Sequence, residues 1–234
     1  MSELPTFPRE KVVVLSGAGL SAPSGLATFR GSNGLWRQYR FTEVASPEGW
    51  ERHPEVVLEF YNERRANACA AVPNAGHRAI AELERRFEVV VITQNVDDLH
   101  ERAGSTRIIH LHGELTKARS TVDPDLIYEI GAAPIRIGDL CEKGGQLRPH
   151  IVWFGESVER YDDARFQMMD ADRVLVVGTS LSVYPAAGLV EFALDRTMKL
   201  LVDVDPPGAP RGFRVINGSA DQVLPSLVAA WLKE

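Results

Sequence analysis

Glycine, amide, carboxylate and imidazole side chains are spaced along this chain in a way that suits a phosphate-bearing ligand and a proton transfer. The run Lys11-Val12-Val13-Val14-Leu15-Ser16 leads into Gly17-Ala18-Gly19-Leu20-Ser21-Ala22, a G-x-G-x-x-A arrangement. Small residues there permit a tight turn and bring backbone N–H groups against a pyrophosphate at a helix start. The same pattern also makes a ligand-free turn, so both readings stand on this motif alone. A dehydrogenase would add an acidic residue at the end of a second strand about 20 residues later. That region is Phe29-Arg30-Gly31-Ser32-Asn33-Gly34, neither strand-like nor acidic, which argues against simple hydride transfer.

Two further groups follow apolar runs. Gln94, Asn95 and Asp97 come after Glu88-Val89-Val90-Val91-Ile92-Thr93. Such a cluster either orients a ligand or makes a turn and caps a helix, since Asn and Asp suit both. His110 and His112 share parity at the end of the run 106–113. A histidine near a strand end is commonly structural, but imidazole is the natural general base near neutral pH.

A helical stretch over residues 55–71 places Val57, Phe60, Tyr61, Arg64, Ala68 and Ala71 on one face,. Arg64 therefore lies in a stripe that should be buried. A buried guanidinium needs a partner, and its fork matches a carboxylate. That carboxylate is either an internal Asp or Glu, or one carried by a ligand.

The elements that position these groups read as α/β. Apolar runs at 11–17, 88–94, 106–113, 150–155, 173–178 and 199–205 lack clean alternation, as strands buried on both faces do,. Helical stretches at 73–87, 185–196 and 221–233 lie between or after them. The pattern predicts a doubly wound, Rossmann-like parallel sheet, with ligands at the carboxyl ends of the strands. Residues 31–72 and 114–149 fit this alternation poorly and read as a smaller inserted helical and loop module within one domain spanning 1–234.

Composition narrows the function. A net charge of −6 argues against nucleic-acid binding,. Two cysteines without paired spacing exclude a disulfide framework and an all-cysteine zinc site,. The apolar runs are far shorter than a membrane span, and the polar, proline-broken start lacks a signal-peptide pattern. A cytoplasmic location is the default expectation.

Taken together, Gly17 to Ser21 through Thr28-Phe29-Arg30-Gly31, Thr93-Gln94-Asn95-Val96-Asp97, His110-Leu111-His112-Gly113 and Gly178-Thr179-Ser180 resemble the sirtuins, NAD-dependent protein-lysine deacylases. Arg148-Pro149-His150-Ile151-Val152-Trp153-Phe154-Gly155-Glu156 is similar to that family's substrate-binding strand. The resemblance implies that a lysine acyl oxygen displaces nicotinamide from the ribose. His112 then takes a ribose hydroxyl proton, and free lysine, nicotinamide and O-acyl-ADP-ribose result.

The resemblance also assigns roles. It makes His112 the base and leaves His110 structural. Asn95 and Asp97 would orient the nicotinamide amide and ribose, and Gln94 would meet the ribose hydroxyls. Gly17, Ala18, Gly19, Ser21, Phe29, Arg30, Gly178, Thr179, Ser180, Asp203 and Ala220 complete the implied NAD set. Asp203 departs from the asparagine often found there in the family. Val152 and Phe154, with Glu156, would pair with an acyl-lysine protein or peptide by strand addition. Tyr61-Asn62-Glu63-Arg64 matches the Tyr-x-x-Arg pair of sirtuins that remove succinyl and malonyl groups, so acidic acyl groups are expected, with acetyl a weaker substrate.

One departure concerns metal. Many sirtuins hold zinc in the inserted module through two Cys-x-x-Cys pairs. Here Arg119-Ser120-Thr121-Val122-Asp123 replaces the first, and Leu140 and Lys143 stand in the second with Cys141 out of register. No zinc is expected, and packing by Leu126, Ile127, Tyr128, Ile130, Ile135, Ile137 and Leu140 would have to hold the module. An ADP-ribosyltransferase and a noncatalytic NAD or ADP-ribose sensor remain alternatives, although a sensor has no need of the base.

Overall fold

The computed structural model describes residues 9–28, 40–206 and 208–234. In chain order the strands are β1 (Lys11–Ser16), β2 (Glu88–Thr93), β3 (Ile108–His110), β4 (Gly113–Ser120), β5 (Ile127–Glu129), β6 (Leu147–Ile151), β7 (Arg173–Val177), β8 (Met198–Asp203) and β9 (Arg214–Asn217). The α-helices are α1 (Ala18–Ser21), α2 (Phe41–Val44), α3 (Pro47–Arg52), α4 (Pro54–Ala70), α5 (Ala75–Glu82), α6 (Leu99–Ala103), α7 (Tyr161–Met169) and α8 (Ala220–Trp231).

Six strands form one parallel sheet in the order β3-β2-β1-β7-β8-β9. Its strands are apolar on both faces because both are covered. Val12, Val14, Val89, Val91, Leu175 and Val177 pack under α5 and α8 through Ile80, Leu224 and Val228. Val13, Leu15, Val90, Ile92, Val174 and Val176 pack under α7 and the 3₁₀ turn Ala186–Phe192 through Met168 and Leu189. Each such buried aliphatic side chain contributes roughly 1.5–3 kcal/mol. The order reverses between β1 and β7, so the crevice beyond their carboxyl ends is the place for a ligand,.

A second, antiparallel sheet runs β5-β4-β6. The run 150–155, expected among the doubly wound strands, belongs here instead, since β6 pairs with β4 and places Ile151 beside Gly113. With α2, α3 and α4 this sheet encloses Val44, Val57, Phe60, Tyr61, Leu115, Ile151 and Trp153. The segment 114–149 thus carries most of β4, all of β5 and the start of β6, joined by turns and loops. Of its seven expected packing residues only Ile135 is fully buried, while Ile127, Ile137 and Leu140 are exposed.

Polar contacts do the remaining work. Asn62 clamps the backbone of Ile135 through both amide atoms, at 2.8 and 2.9 Å. The Glu156 carboxylate is held by both terminal nitrogens of Arg148 at 2.6 and 3.1 Å and by Arg119 at 3.2 Å.

Boundaries shift where local chemistry dictates. The helix expected over 73–87 begins at Ala75, because the Asn74 side chain accepts from the Gly76 and His77 amides as an N-cap,. The stretch 185–196 forms a 3₁₀ turn over Ala186–Phe192, not an α-helix. The strand expected over 106–113 narrows to 108–110, which puts His112 in the following turn. No described helix is long and apolar enough to cross a membrane.

Candidate functional site

The crevice is built first from glycine. The Gly17 amide donates to the Val177 carbonyl at 3.0 Å and the Gly19 amide to that of Gly178 at 2.8 Å, so the turn after β1 lies directly on the end of β7. A Cβ on Gly19 would stand 2.8 Å from the Gly178 Cα. Gly178 itself has φ +63°, and a Cβ there would stand 2.2 Å from the Leu20 nitrogen. Backbone this close to backbone admits no side chain, so glycine is required at the floor of the crevice,.

The loop after β2 supplies the polar cluster. Asn95, buried, donates through Nδ2 to the Gly17 carbonyl at 3.2 Å and to Ser21 Oγ at 3.0 Å. Both amide hydrogens are therefore used, and Oδ1 is left to accept. Ser21 Oγ donates to Asp97 Oδ2 at 3.0 Å, while Asp97 Oδ1 accepts from the Leu99 amide. Burial pushes the Asp97 carboxyl up, against those two hydrogen bonds. Gln94 donates through Nε2 to Thr179 Oγ1 at 3.0 Å, which ties the β2 and β7 loops together.

The two histidines differ in kind. His112 Nδ1 donates to the Gln94 carbonyl at 3.0 Å, and burial holds its imidazole below the ordinary value. That leaves Nε2 unprotonated and able to take a proton. His110 pairs with Glu101 at 2.7 Å. Burial opposes its charged form, but the Glu101 carboxylate outweighs this and raises its pKa. His110 is thus built into a salt bridge.

Ala18, Ser21, Asn95 and Asp97 line a cavity of about 90 Å³ together with Phe60, Arg64, Ala68 and Leu115. Arg64 therefore reaches the same space as the glycine turn and the amide cluster. Burial lowers its pKa, countered by Tyr61 and Asp97 nearby. Tyr61 is buried behind the cavity, its hydroxyl accepting from Trp153 Nε1 at 3.1 Å, and burial pushes that phenol up to about 12. Trp153 is packed between Tyr61 and the Arg148 guanidinium.

Sequence reading missed the neighbouring Arg65. It is fully buried, with Nε donating to the Leu115 carbonyl and Nη1 to Asn62 Oδ1. Helical periodicity holds its signal: Arg65 stands four residues after Tyr61 and three before Ala68, on the same stripe.

Other expected residues lie at the margins. The amides of Val152, Trp153, Phe154 and Glu156 are already bonded to His112 O, Glu156 Oε2, Ala45 O and Trp153 O. The Glu156 side chain faces inward to arginines, not outward to a peptide. Phe154 is exposed, with its ring edge-on to Phe41 at 5.0 Å. Ser180 bonds Ser182, Asp203 Oδ1 accepts from the Asp205 amide, and Ala220 is buried at the start of α8. Phe29 and Arg30 lie outside the described residues.

The residues at the place of a zinc site do not fit one. Ser120 Oγ accepts from the Val122 and Asp123 amides and lies 3.2 Å from Cys141 Sγ, while Asp123 pairs with Lys143 at 2.6 Å. One thiol, a hydroxyl already accepting from two amides and an ion-paired carboxylate do not make a tetrahedral thiolate set.

Known proteins resemble this chain in sequence and in fold. A model of the Sir2 family matches residues 17–185. An NAD-dependent protein deacylase of Helicobacter pylori is 47% identical over 221 residues, covering 94% of this chain and 96% of that protein. One from Aggregatibacter actinomycetemcomitans is 50% identical over 206 residues, covering 88% and 97%. The crystal structure of a Sir2 homologue in complex with NAD superposes with a TM-score of 0.85 at 40% identity, covering 96% of this chain and 90% of that one. With its glycine turn, amide cluster and paired histidines in the family's order, this chain belongs to the Sir2 family, the sirtuins.

Proposed function

We propose that this enzyme is an NAD-dependent protein-lysine deacylase that removes succinyl and malonyl groups, and acetyl more weakly. The deacylase reading rests on family membership together with a base whose free nitrogen is fixed by Gln94. The acidic-acyl reading rests on one observation: Arg64 in the wall shared by Asn95 and the glycine turn.

The residues present fit NAD. The tight turn at Gly17, Gly19 and Gly178, where any Cβ would collide with facing protein atoms, suits the close approach of a pyrophosphate, with Ala18, Ser21, Thr179 and Ser180 beside it,. Asn95 Oδ1 suits a carboxamide N–H. Asp97, Gln94, Asp203 and Ala220 complete the proposed set, with Phe29 and Arg30 from the segment outside the described residues. NAD supplies a ribose that is activated at its bond to nicotinamide and can carry the acyl group away.

The chain's own residues do the rest. His112 accepts a hydroxyl proton at Nε2 while Gln94 holds its tautomer. Phe60, Leu115 and Ala68 keep the cavity apolar against water,. Arg64 meets the acyl carboxylate, and Tyr61, kept protonated by burial, remains a donor beside it. Val152 and Phe154 bind the peptide main chain. In this reading residues 31–72 and 114–149 are the inserted small module of one catalytic domain over 1–234. The substrates are acyl-lysine proteins or peptides in the cytoplasm, not nucleic acid or membrane.

One peptide carrying acetyl-, succinyl- or malonyl-lysine, offered with NAD while nicotinamide release is followed, tests the reading. Faster release from the two acidic forms, and collapse of that preference in Arg64→Met with deacetylation retained, are expected. Equal rates on all three forms sink the acidic preference. Intact NAD in every arm sinks the deacylase itself.

A further inference from the structure

We propose that His100 is a positioning residue: through Ser16 and Thr93 it fixes the backbone of Asn95, and so sets how firmly the site grips nicotinamide. This builds on the deacylase reading above.

The observation is a chain of buried polar groups beneath the site. His100, on α6, is 1% exposed, and its Nε2 lies 2.9 Å from Ser16 Oγ. Ser16 Oγ donates to Thr93 Oγ1 at 2.9 Å, and Thr93 Oγ1 accepts the Asn95 amide at 3.0 Å. Ser16 and Thr93 are the last, paired residues of β1 and β2, both fully buried at the ends of runs, Val12 to Leu15 and Val89 to Ile92, that are apolar and almost wholly enclosed. Two hydroxyls at the ends of two central apolar strands have a polar task.

Proton counting gives its direction. A serine hydroxyl has one hydrogen, and Ser16 spends it on Thr93, so the Ser16 oxygen must receive the next one. His100 provides it, which fixes the proton on Nε2. Burial first, then the neighbouring imidazoles of His77 and His110, keep His100 uncharged. His77 lies edge-on at 5.1 Å and holds the ring plane. Without the His100 N–H, the Ser16 hydroxyl is a buried rotor and Thr93 loses its orientation. Asn95 then loses its main-chain anchor, although its side chain stays on Gly17 and Ser21. The Thr93 carbonyl also accepts from the Leu111 amide at 2.9 Å, so the same strand end steadies the turn that carries His112.

The test compares wild type with His100→Gln, His100→Phe and Thr93→Val. Glutamine carries an N–H at the reach of the imidazole Nε2, whereas phenylalanine keeps the volume without the donor. His100→Phe is expected to lower kcat and to raise the nicotinamide inhibition constant, each by about ten- to a hundredfold. KM for the acyl-peptide should stay within about twofold. Amide hydrogen exchange at Asn95 should quicken at least about tenfold.

His100→Gln should recover most of these losses and Thr93→Val should reproduce them. Ser16→Ala breaks the same link should His100→Phe fail to fold. Equal loss in the Gln and Phe variants overturns the proposal. So does a fall in melting temperature alone, with the nicotinamide constant and Asn95 exchange unchanged. A wild type that leaves NAD intact defeats the deacylase reading instead, and the exchange rates then still decide whether His100 anchors Asn95.

Discussion

His112 Nδ1 is committed to the carbonyl oxygen of Gln94 at 3.0 Å, the residue that also reaches Thr179 across the crevice. The base is therefore oriented by the same loop that carries Asn95. Because burial lowers the His112 pKa, the neutral, proton-accepting form persists below the ordinary 6.5,. The acid limb of the kcat/KM profile should have its midpoint below that value, and a limb above it would contradict the assignment. His112→Tyr should cut turnover by about 10²–10⁴-fold while the melting temperature holds.

Adjacent arginines on α4 should behave oppositely. Arg65→Met removes a buried guanidinium and strands the Leu115 carbonyl, so a loss of roughly 1–3 kcal/mol in folding stability is expected,. Urea unfolding measures it, and activity should fall on every acyl form alike. Arg64→Met should move selectivity among acyl groups and leave the unfolding midpoint nearly in place.

Gly178→Ala should be among the least tolerated changes in the crevice. The added methyl meets the Leu20 nitrogen, and the residue must hold φ +63°,. Calorimetry should show NAD binding weakened by at least about tenfold, with lowered thermal stability. Unchanged affinity would mean that the turn has room to move.

Acid should weaken the fold through His77. Burial first, then Arg78 and Arg102, press its pKa down to about 4, and neither ring nitrogen has a hydrogen-bond partner among the described residues. In the unfolded chain the group protonates near 6.5, so below that pH the unfolded state binds the extra proton. Stability is then intact above about 6.5, declines as pH falls, and levels off near 4,. The total loss is roughly 3 kcal/mol from this group. Denaturant midpoints across that window should show the slope, and His77→Gln should flatten it in part, since His100 is depressed as well.

Much of the crevice is legible in sequence because its signals are local. Val12 to Leu15 announce a strand buried on both faces, and Gly17 and Gly19 announce the tight turn at its end. Strand pairing at a distance is not legible in this way. β4 reads Gly-Glu-Leu-Thr-Lys-Ala-Arg-Ser, and only its partner β6 shows that Leu115 and Ala118 point inward. The edge strand β9 is four residues long behind a Gly- and Pro-rich loop, and α7 is too polar for its stripe to stand out. On α4, helical periodicity identifies a stripe containing an arginine but not which of two adjacent arginines turns to the interior, because the helix touches both β4 and the cavity.

The seam between the Gly17–Gly19 turn and Gly178 joins stretches that lie far apart in the chain yet meet backbone to backbone. Neither side can drift alone: a bulkier residue on one collides with main chain on the other. Chimaeras spliced between this protein and a distant relative will therefore keep their dinucleotide grip only when both sides of the seam are inherited as a matched set.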